Sequence, residues 1–108
     1  MSSADGVREA PPATSLDRLL HEPARLVIAT LLYVVESADF LFLLRESGLS
    51  KGNLSSHLSK LETGGYVEIE KTFRGKIPLT ICRLTGEGRE ALRRYREQLK
   101  RVVETLPE

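Results

Sequence analysis

The sequence has little cysteine, no long apolar stretch and no segment that resembles a signal peptide. Cys82 is the single cysteine among 108 residues, so no intrachain disulfide can form, which fits a reducing cytoplasm. The longest apolar stretch, residues 31–35, is far too short to cross a bilayer. Residues 1–15 are polar, small and proline-containing and lack the apolar segment of a signal peptide. We therefore expect a cytoplasmic protein with no membrane partner.

Metal-ligand and catalytic motifs are also missing. His21, His57 and Cys82 do not have the spacing of a metal-ligand set, so we expect no metal and no cofactor. Cys82 alternates within a predicted strand, which favours a buried small apolar side chain over a redox switch. Gly86 and Gly88 lie at the start of a predicted helix, where we interpret them as capping residues. With no phosphate loop and no nucleophile motif, the sequence predicts a protein that is not an enzyme.

The charge is nearly balanced, with 16 Lys and Arg against 15 Asp and Glu and a net charge of +1. Apolar residues make up 41% and charged residues 29% of the chain, which is ordinary for one soluble globular domain. A DNA-binding protein of this composition must concentrate its cations in one region. The distribution of charge therefore matters more than the total.

The chain divides into a predicted disordered tail over residues 1–14 and a folded domain over residues 15–106. Ser15 or Asp17 is expected to cap a short turn that carries Leu16, Leu19 and Leu20. Apolar periodicity and capping residues then predict helices over 23–34, 39–46, 50–63 and 86–106, and strands over 66–73 and 79–84. This order is the plan of a winged helix-turn-helix, a mainly α fold with a small β-hairpin.

The third predicted helix has two contrasting faces. Leu54, Leu58 and Leu61 recur at i, i+4 and i+7 and form an inner face, whereas the outer face is small, polar and mildly basic. Short polar side chains let a helix approach the major groove and bond base edges. Serine is a poor helix former, so four serines within ten residues favour a functional reason over a plain solvated face. The predicted DNA-binding residues of this segment are Ser50, Lys51, Asn53, Ser55, Ser56, His57 and Lys60.

The predicted hairpin tip adds a second basic group. Lys71, Arg74 and Lys76 lie within six residues and have no acidic residue between them. A basic hairpin tip can cross a phosphate backbone or enter the minor groove. An ordinary solvated turn is the alternative, and the neighbouring third helix favours the DNA interpretation.

Residues 49–67, LSKGNLSSHLSKLETGGYV, resemble the recognition segment of the ArsR and MarR groups of prokaryotic regulators. The wider pattern, with residues 39–44, the hairpin and residues 84–89, resembles small winged-helix transcriptional regulators over about 16–106. The resemblance implies a DNA-binding domain and a homodimer built from terminal helices. Metal-sensing ArsR proteins carry ligand residues that this chain lacks, so the resemblance does not extend to metal sensing.

The last predicted helix carries an apolar stripe with 3, 4, 3, 4 spacing. Packing on its own domain is one explanation, and a dimer is favoured because the stripe extends beyond what so small a body covers. A two-fold dimer would present two recognition helices to a pseudo-palindromic duplex with half-sites about 10 bp apart. The predicted interface residues are Leu16, Leu19, Leu20, Leu92, Tyr95, Leu99, Val102 and Leu106.

Together these features predict a sequence-specific, double-stranded DNA-binding transcriptional regulator, acting as a homodimeric repressor by occlusion. The alternative is a winged-helix module that binds another regulator rather than DNA. In that case the apolar Leu41-Phe42 pair or the C-terminal stripe would hold the partner. Leu41 and Phe42 are expected to point away from the inner face of the second helix.

Overall fold

The computed structural model of the chain describes residues 16–107, so the tail predicted for residues 1–14 lies outside the described residues. The elements are α1 (Pro23–Val35), β1 (Ser37–Asp39), α2 (Phe40–Ser47), α3 (Lys51–Thr63), β2 (Val67–Arg74), β3 (Ile77–Leu84) and α4 (Gly86–Glu104). The fold thus consists of four helices and a small three-stranded antiparallel sheet with the strand order β1-β3-β2. The predicted winged helix is confirmed.

The helix starts follow the predicted capping chemistry. Asp39 accepts a hydrogen bond from the Phe42 amide at 2.8 Å, and Ser50 accepts one from the Asn53 amide at 3.2 Å. α1 begins at Pro23, where a missing amide hydrogen has no cost. α4 ends at Glu104, two residues before the predicted end. Local side-chain chemistry therefore sets where the helices begin.

β1 is an element that the sequence did not predict. Residues 36–38 were expected to be a break, yet Ser37–Asp39 pairs with β3 in the register Ala38↔Cys82. Three residues are too few to show an alternating pattern in the sequence. This strand is recognised only by its pairing with the edge of β3. The hairpin turn is also tighter than the predicted Arg74-Gly75-Lys76, since Arg74 pairs with Ile77. Gly75, at φ 64°, fits the first position of such a two-residue turn.

The core is a single cluster between the helices and the inner face of the sheet. The predicted inner face of α3 is confirmed, because all three of its leucines are buried. Cys82 is also buried, as predicted. The buried residues are Leu20, Ile28, Ala29, Leu32, Leu43, Leu54, Leu58, Leu61, Val67, Cys82, Leu84, Ala91 and Tyr95.

The apolar pair on α2 divides differently from the expectation. Leu41 is 66% exposed, as predicted, whereas Phe42 is half-buried and packs against the core. The eight-residue α2 contacts α1, α3, β1 and β3, so a side chain off its inner face is still covered. The patch predicted from Leu41 and Phe42 therefore reduces mainly to one exposed leucine.

Candidate nucleic-acid interface

The outer face of α3 carries mainly short polar side chains, and it has no carboxylate before Glu62. Leu54 and its two partners hold the opposite face in the core, which orients this outer face away from the domain. Ser50 keeps its hydroxyl oxygen on the Asn53 amide, so it caps the helix. The exposed predicted residues of the segment are Ser50, Lys51, Asn53, Ser55, Ser56 and Lys60.

His57 lies on the flank of α3, half-buried between the two faces. The Nη1 atom of Arg25, in the first turn of α1, is 3.2 Å from Nδ1 of His57. The Nε atom of Arg25 donates to the Leu19 carbonyl oxygen at 2.6 Å, which fixes the guanidinium in place. The sequence did not indicate that Arg25 contacts the predicted site residue His57, because a contact across 32 positions leaves no periodic signal.

The wing is the β2–β3 hairpin, and all three of its predicted cations are exposed. Cross-strand partners share a face and neighbours alternate. The pairs Lys71↔Thr80 and Arg74↔Ile77 therefore place Lys71 and Arg74 on opposite faces, with Lys76 in the turn. Within residues 16–107, none of the three forms an ion pair. The wing thus carries three free cations around its tip.

Two carboxylates at the base of the wing share one arginine. Arg83 donates to Glu68 at 3.2 Å and to Glu70 at 3.3 Å. These hydrogen bonds raise the pKa of Arg83 above its ordinary value. One of the two negative charges at the base of the wing is thereby compensated locally. The outer part of the wing, residues 71–80, contains no acidic residue and carries only positive charge.

The wing base is fastened to the end of α3. Thr85 donates through its hydroxyl to the Gly65 carbonyl at 2.7 Å and accepts from the Gly88 amide at 2.9 Å. Its amide donates to the Tyr66 carbonyl at 3.0 Å. The end of α3, the start of β2 and the start of α4 are therefore held together, which gives the wing a fixed position relative to α3.

Tyr66 connects this junction to the turn that precedes α1. Its hydroxyl donates to the Asp17 carboxylate at 2.5 Å. Burial, together with this hydrogen bond, raises the pKa of Tyr66 to about 12. Asp17 also accepts from the amides of Leu19 and Leu20, which is the capping role predicted for it.

The predicted interface residues fall into two groups. Leu20 and Tyr95 lie in the core of their own chain, and the Tyr95 hydroxyl is 2.7 Å from Nδ1 of His21. Neither side chain offers surface to a partner, so the expectation is corrected for these two. Tyr95 belongs to the predicted stripe on α4 because periodicity does not distinguish core packing from partner packing. The residues that keep accessible surface are Leu16, Leu19, Leu92, Leu99, Val102 and Leu106.

A groove between α1 and α4 lies beside this accessible stripe. Its volume is about 730 Å³, and its lining includes Leu26, Tyr33 and Val34 from α1 and Leu92 and Leu99 from α4. The sequence did not indicate it, because its lining comes from two helices that are far apart in the chain. Through this groove, apolar residues of α1 extend the accessible apolar surface of α4.

Other classes of site have little support in the described part of the chain. Residues 16–107 contain no group of three or more His, Cys, Asp or Glu side chains arranged to hold a metal ion. None of the helices described here combines the length and the apolar character needed to span a membrane.

Comparison with known proteins identifies the family. Residues 24–103 match the model of the winged helix DNA-binding domain, and the chain belongs to this family. It is 37% identical over 79 residues to an uncharacterized protein of Methanocaldococcus jannaschii, covering 72% of this chain and 85% of that one.

Solved structures agree with this assignment. A transcriptional regulator homologue from Pyrococcus horikoshii superposes with a TM-score of 0.79 at 32% identity, covering 85% of this chain and 91% of that one. A MarR-family regulator from Streptomyces coelicolor, solved in complex with DNA, gives a TM-score of 0.67 at 22% identity, covering 86% and 62%. The second likeness shows the fold alone. The chain therefore has the winged-helix fold found in these transcriptional regulators.

Proposed function

We propose that this protein is a homodimeric transcriptional regulator that binds specific double-stranded DNA sites and represses by occlusion. The observation that carries the proposal is the outer face of α3. Its exposed side chains are short and polar, and Lys51 and Lys60 are exposed with them. Such a face can approach base edges while its lysines meet phosphates.

The wing and the junction support the same function. The three cations around the wing tip, which form no ion pair within residues 16–107, suit a phosphate backbone. The Thr85 hydrogen bonds hold the wing at a fixed offset from α3. When α3 and the wing are held at a fixed offset, both can contact a duplex only in one position along its helical turn. A mobile wing would add affinity without fixing that position. His57 joins the surface from the flank of α3.

The proposed dimer uses the accessible stripe of α4 together with the groove beside α1. Val103 and Leu106 are exposed near the end of α4, where no part of residues 16–107 covers them. Two-fold pairing would present two α3 helices to half-sites about 10 bp apart on a pseudo-palindrome. A bound dimer would cover the duplex and exclude other proteins, which is the basis for proposing repression in a cytoplasmic, prokaryotic setting.

The experiment is selection of bound duplexes from a random pool by the full chain, with the oligomeric state measured by sedimentation on the same sample. The expected result is an enriched two-fold symmetric sequence bound by a dimer. Asn53→Ala should flatten the enriched sequence, whereas Lys100→Ala, a matched exposed change on α4, should not. Failure to enrich any sequence, with capture of a protein partner through Leu41 instead, would favour the interaction-module alternative.

A further inference from the structure

Arg25 connects α1 to the flank of α3 through two of its three side-chain nitrogens. Its Nε atom donates to the Leu19 carbonyl oxygen at 2.6 Å, and its Nη1 atom lies 3.2 Å from Nδ1 of His57. The guanidinium is planar and rigid, so the bond to Leu19 fixes the direction from which Nη1 meets the imidazole. Arg25 is also half-buried. Its nitrogens are therefore placed to orient a neighbouring side chain and not to reach a ligand outside the chain.

The contact determines how His57 presents its second ring nitrogen. A guanidinium has only donors, so Nδ1 of His57 accepts the hydrogen bond and the neutral ring carries its hydrogen on Nε2. The two ring nitrogens point in diverging directions, so the Nε2 donor is turned away from Arg25. Within residues 16–107, Nε2 forms no hydrogen bond, and His57 keeps part of its surface accessible. The flank of α3 thus carries an oriented donor that no group of the described chain uses.

The place of His57 on α3 favours a phosphate as the acceptor. Lys60 lies three residues further along, exposed on the same flank. When the outer face of a helix meets base edges in the major groove, its flanks face the phosphate backbones that border the groove. We infer that Arg25 is a positioning residue for DNA binding, which holds His57 so that its Nε2–H donates to a backbone phosphate oxygen. The inference rests on the proposed function and adds to it a residue that acts on the duplex only through another side chain.

The freedom that His57 gains without Arg25 sets the expected size of the effect. The side chain would then distribute over about three χ1 rotamers, and affinity falls in proportion to the fraction of molecules that hold the competent one. Arg25→Met should therefore weaken binding about threefold per half-site, or about tenfold for a dimer on two half-sites. His57→Ala removes the hydrogen bond to the charged phosphate itself, which should weaken binding about tenfold per half-site.

Two signatures separate positioning from direct contact. If Arg25 itself met a phosphate, Arg25→Met would remove one source of counterion release and reduce the salt slope of the affinity by about 0.9 per contact. A neutral His57 donor leaves that slope unchanged. A residue that acts only through His57 has no remaining role when His57 is absent. Arg25→Met should therefore not weaken binding further in a His57→Ala background.

The test titrates the full chain, at several salt concentrations, against a pool of random-sequence duplexes of about 30 bp, which can hold two half-sites. It compares the wild type, Arg25→Met, His57→Ala and the double variant. His57→Gln supplies an amide donor whose hydrogen does not depend on Arg25, so Arg25→Met should have less effect in that background. Arg89→Met is the matched control and should bind like the wild type. Arg89 is also half-buried and donates to a backbone carbonyl, that of Tyr33, at 3.4 Å.

Denaturant titrations of each variant accompany the affinities, because Arg25 also anchors Leu19. The affinities are measured under conditions in which every variant is folded. Arg25→Lys is the second variant, since it keeps the positive charge and lacks the planar fork that meets both partners. Its affinity should fall between those of the wild type and Arg25→Met, with the slope of the wild type.

The expected result is an about tenfold loss in Arg25→Met at an unchanged slope, which disappears in the His57→Ala background. Equal losses in both backgrounds, or a reduced slope, would show that Arg25 does not act through His57. Wild-type affinity in His57→Ala would show that His57 makes no contact, and an altered selected sequence in His57→Ala would move the contact to a base edge. These results would overturn the inference and leave the proposed function standing. Absence of any salt-dependent duplex binding by the wild type would remove both.

Discussion

The Nη1 atom of Arg25 lies 3.2 Å from Nδ1 of His57, which joins the first turn of α1 to the flank of α3. A guanidinium has only donors, so the imidazole nitrogen that faces it must accept. A neutral His57 therefore carries its proton on Nε2. That arrangement leaves α3 with an N–H donor on its flank, one turn from Asn53 and Lys60.

The first prediction concerns this tautomer. Nitrogen-detected NMR of the free protein should show His57 with its proton on Nε2, and Arg25→Met should shift His57 toward a mixture of tautomers. His21 is the internal control, because its Nδ1 partner is the Tyr95 hydroxyl and Arg25 does not contact it. A wild-type His57 protonated at Nδ1 would show that Arg25 does not set the tautomer.

The second prediction concerns alkaline stability. The pKa of Tyr66 is raised to about 12 in the folded protein, against an ordinary value near 10. The folded state then holds this proton more tightly than the unfolded state, so its stabilisation is complete below about pH 10 and is lost as pH rises through about 12. Denaturant titrations should show this decline.

Tyr66→Phe is the matched variant for that measurement. It should lower the free energy of unfolding at pH 7 by about 1 kcal/mol, through loss of the hydrogen bond to Asp17, and it should make the alkaline decline shallower. Burial also raises the pKa of Tyr95, so part of the decline should remain. An unchanged pH profile in Tyr66→Phe would contradict the assignment to this hydroxyl.

The third prediction concerns the close approach between α4 and the start of β2. A Cβ atom added at Gly88 would lie 2.2 Å from the Tyr66 carbonyl oxygen, whereas one added at Gly86 meets nothing within 4 Å. Gly88→Ala should therefore destabilise the fold by about 1–3 kcal/mol or more. Gly86→Ala, on the same helix, should change stability by less than about 1 kcal/mol. Similar melting temperatures for the two variants would mean that the junction is looser than described.

The fourth prediction tests the dimer surface with two equally exposed leucines. Leu106 is 67% exposed after the end of α4, and Leu41 is 66% exposed on α2. Leu106→Glu should shift sedimentation toward the monomer and weaken duplex binding, because a charge in an apolar interface is poorly compensated. Leu41→Glu should leave the dimer intact. Dissociation by Leu41→Glu alone would place the interface on α2.

Much of this architecture could be predicted because it depends on local chemistry. Asp39 and Ser50 cap the helices that the sequence predicts them to cap. The spacing of the leucines in α3 places them on one face of the helix. What the sequence could not reveal depends on partners distant in the chain. β1 exists through its pairing with β3, and Arg25 reaches His57 across 32 positions.

The apolar stripe of α4 also shows what the spacing of apolar residues cannot predict. Its spacing predicted a continuous interface, yet Tyr95 packs into its own core while Leu106 is exposed. Periodicity reports which residues share a helix face and does not report what covers that face. The α1–α4 groove needed the positions of both helices before it could be recognised.

In the proposed function, α3 and the wing bind duplex DNA through phosphates and base edges. Its most direct test is the dependence of duplex affinity on salt for the wild type, Lys60→Ala and Lys100→Ala. The affinity of the wild type should fall steeply with salt. The slope should be reduced by about 0.9 per lost contact in Lys60→Ala and should equal that of the wild type in Lys100→Ala. Duplex affinity that is absent, or independent of salt, in the wild type would contradict it.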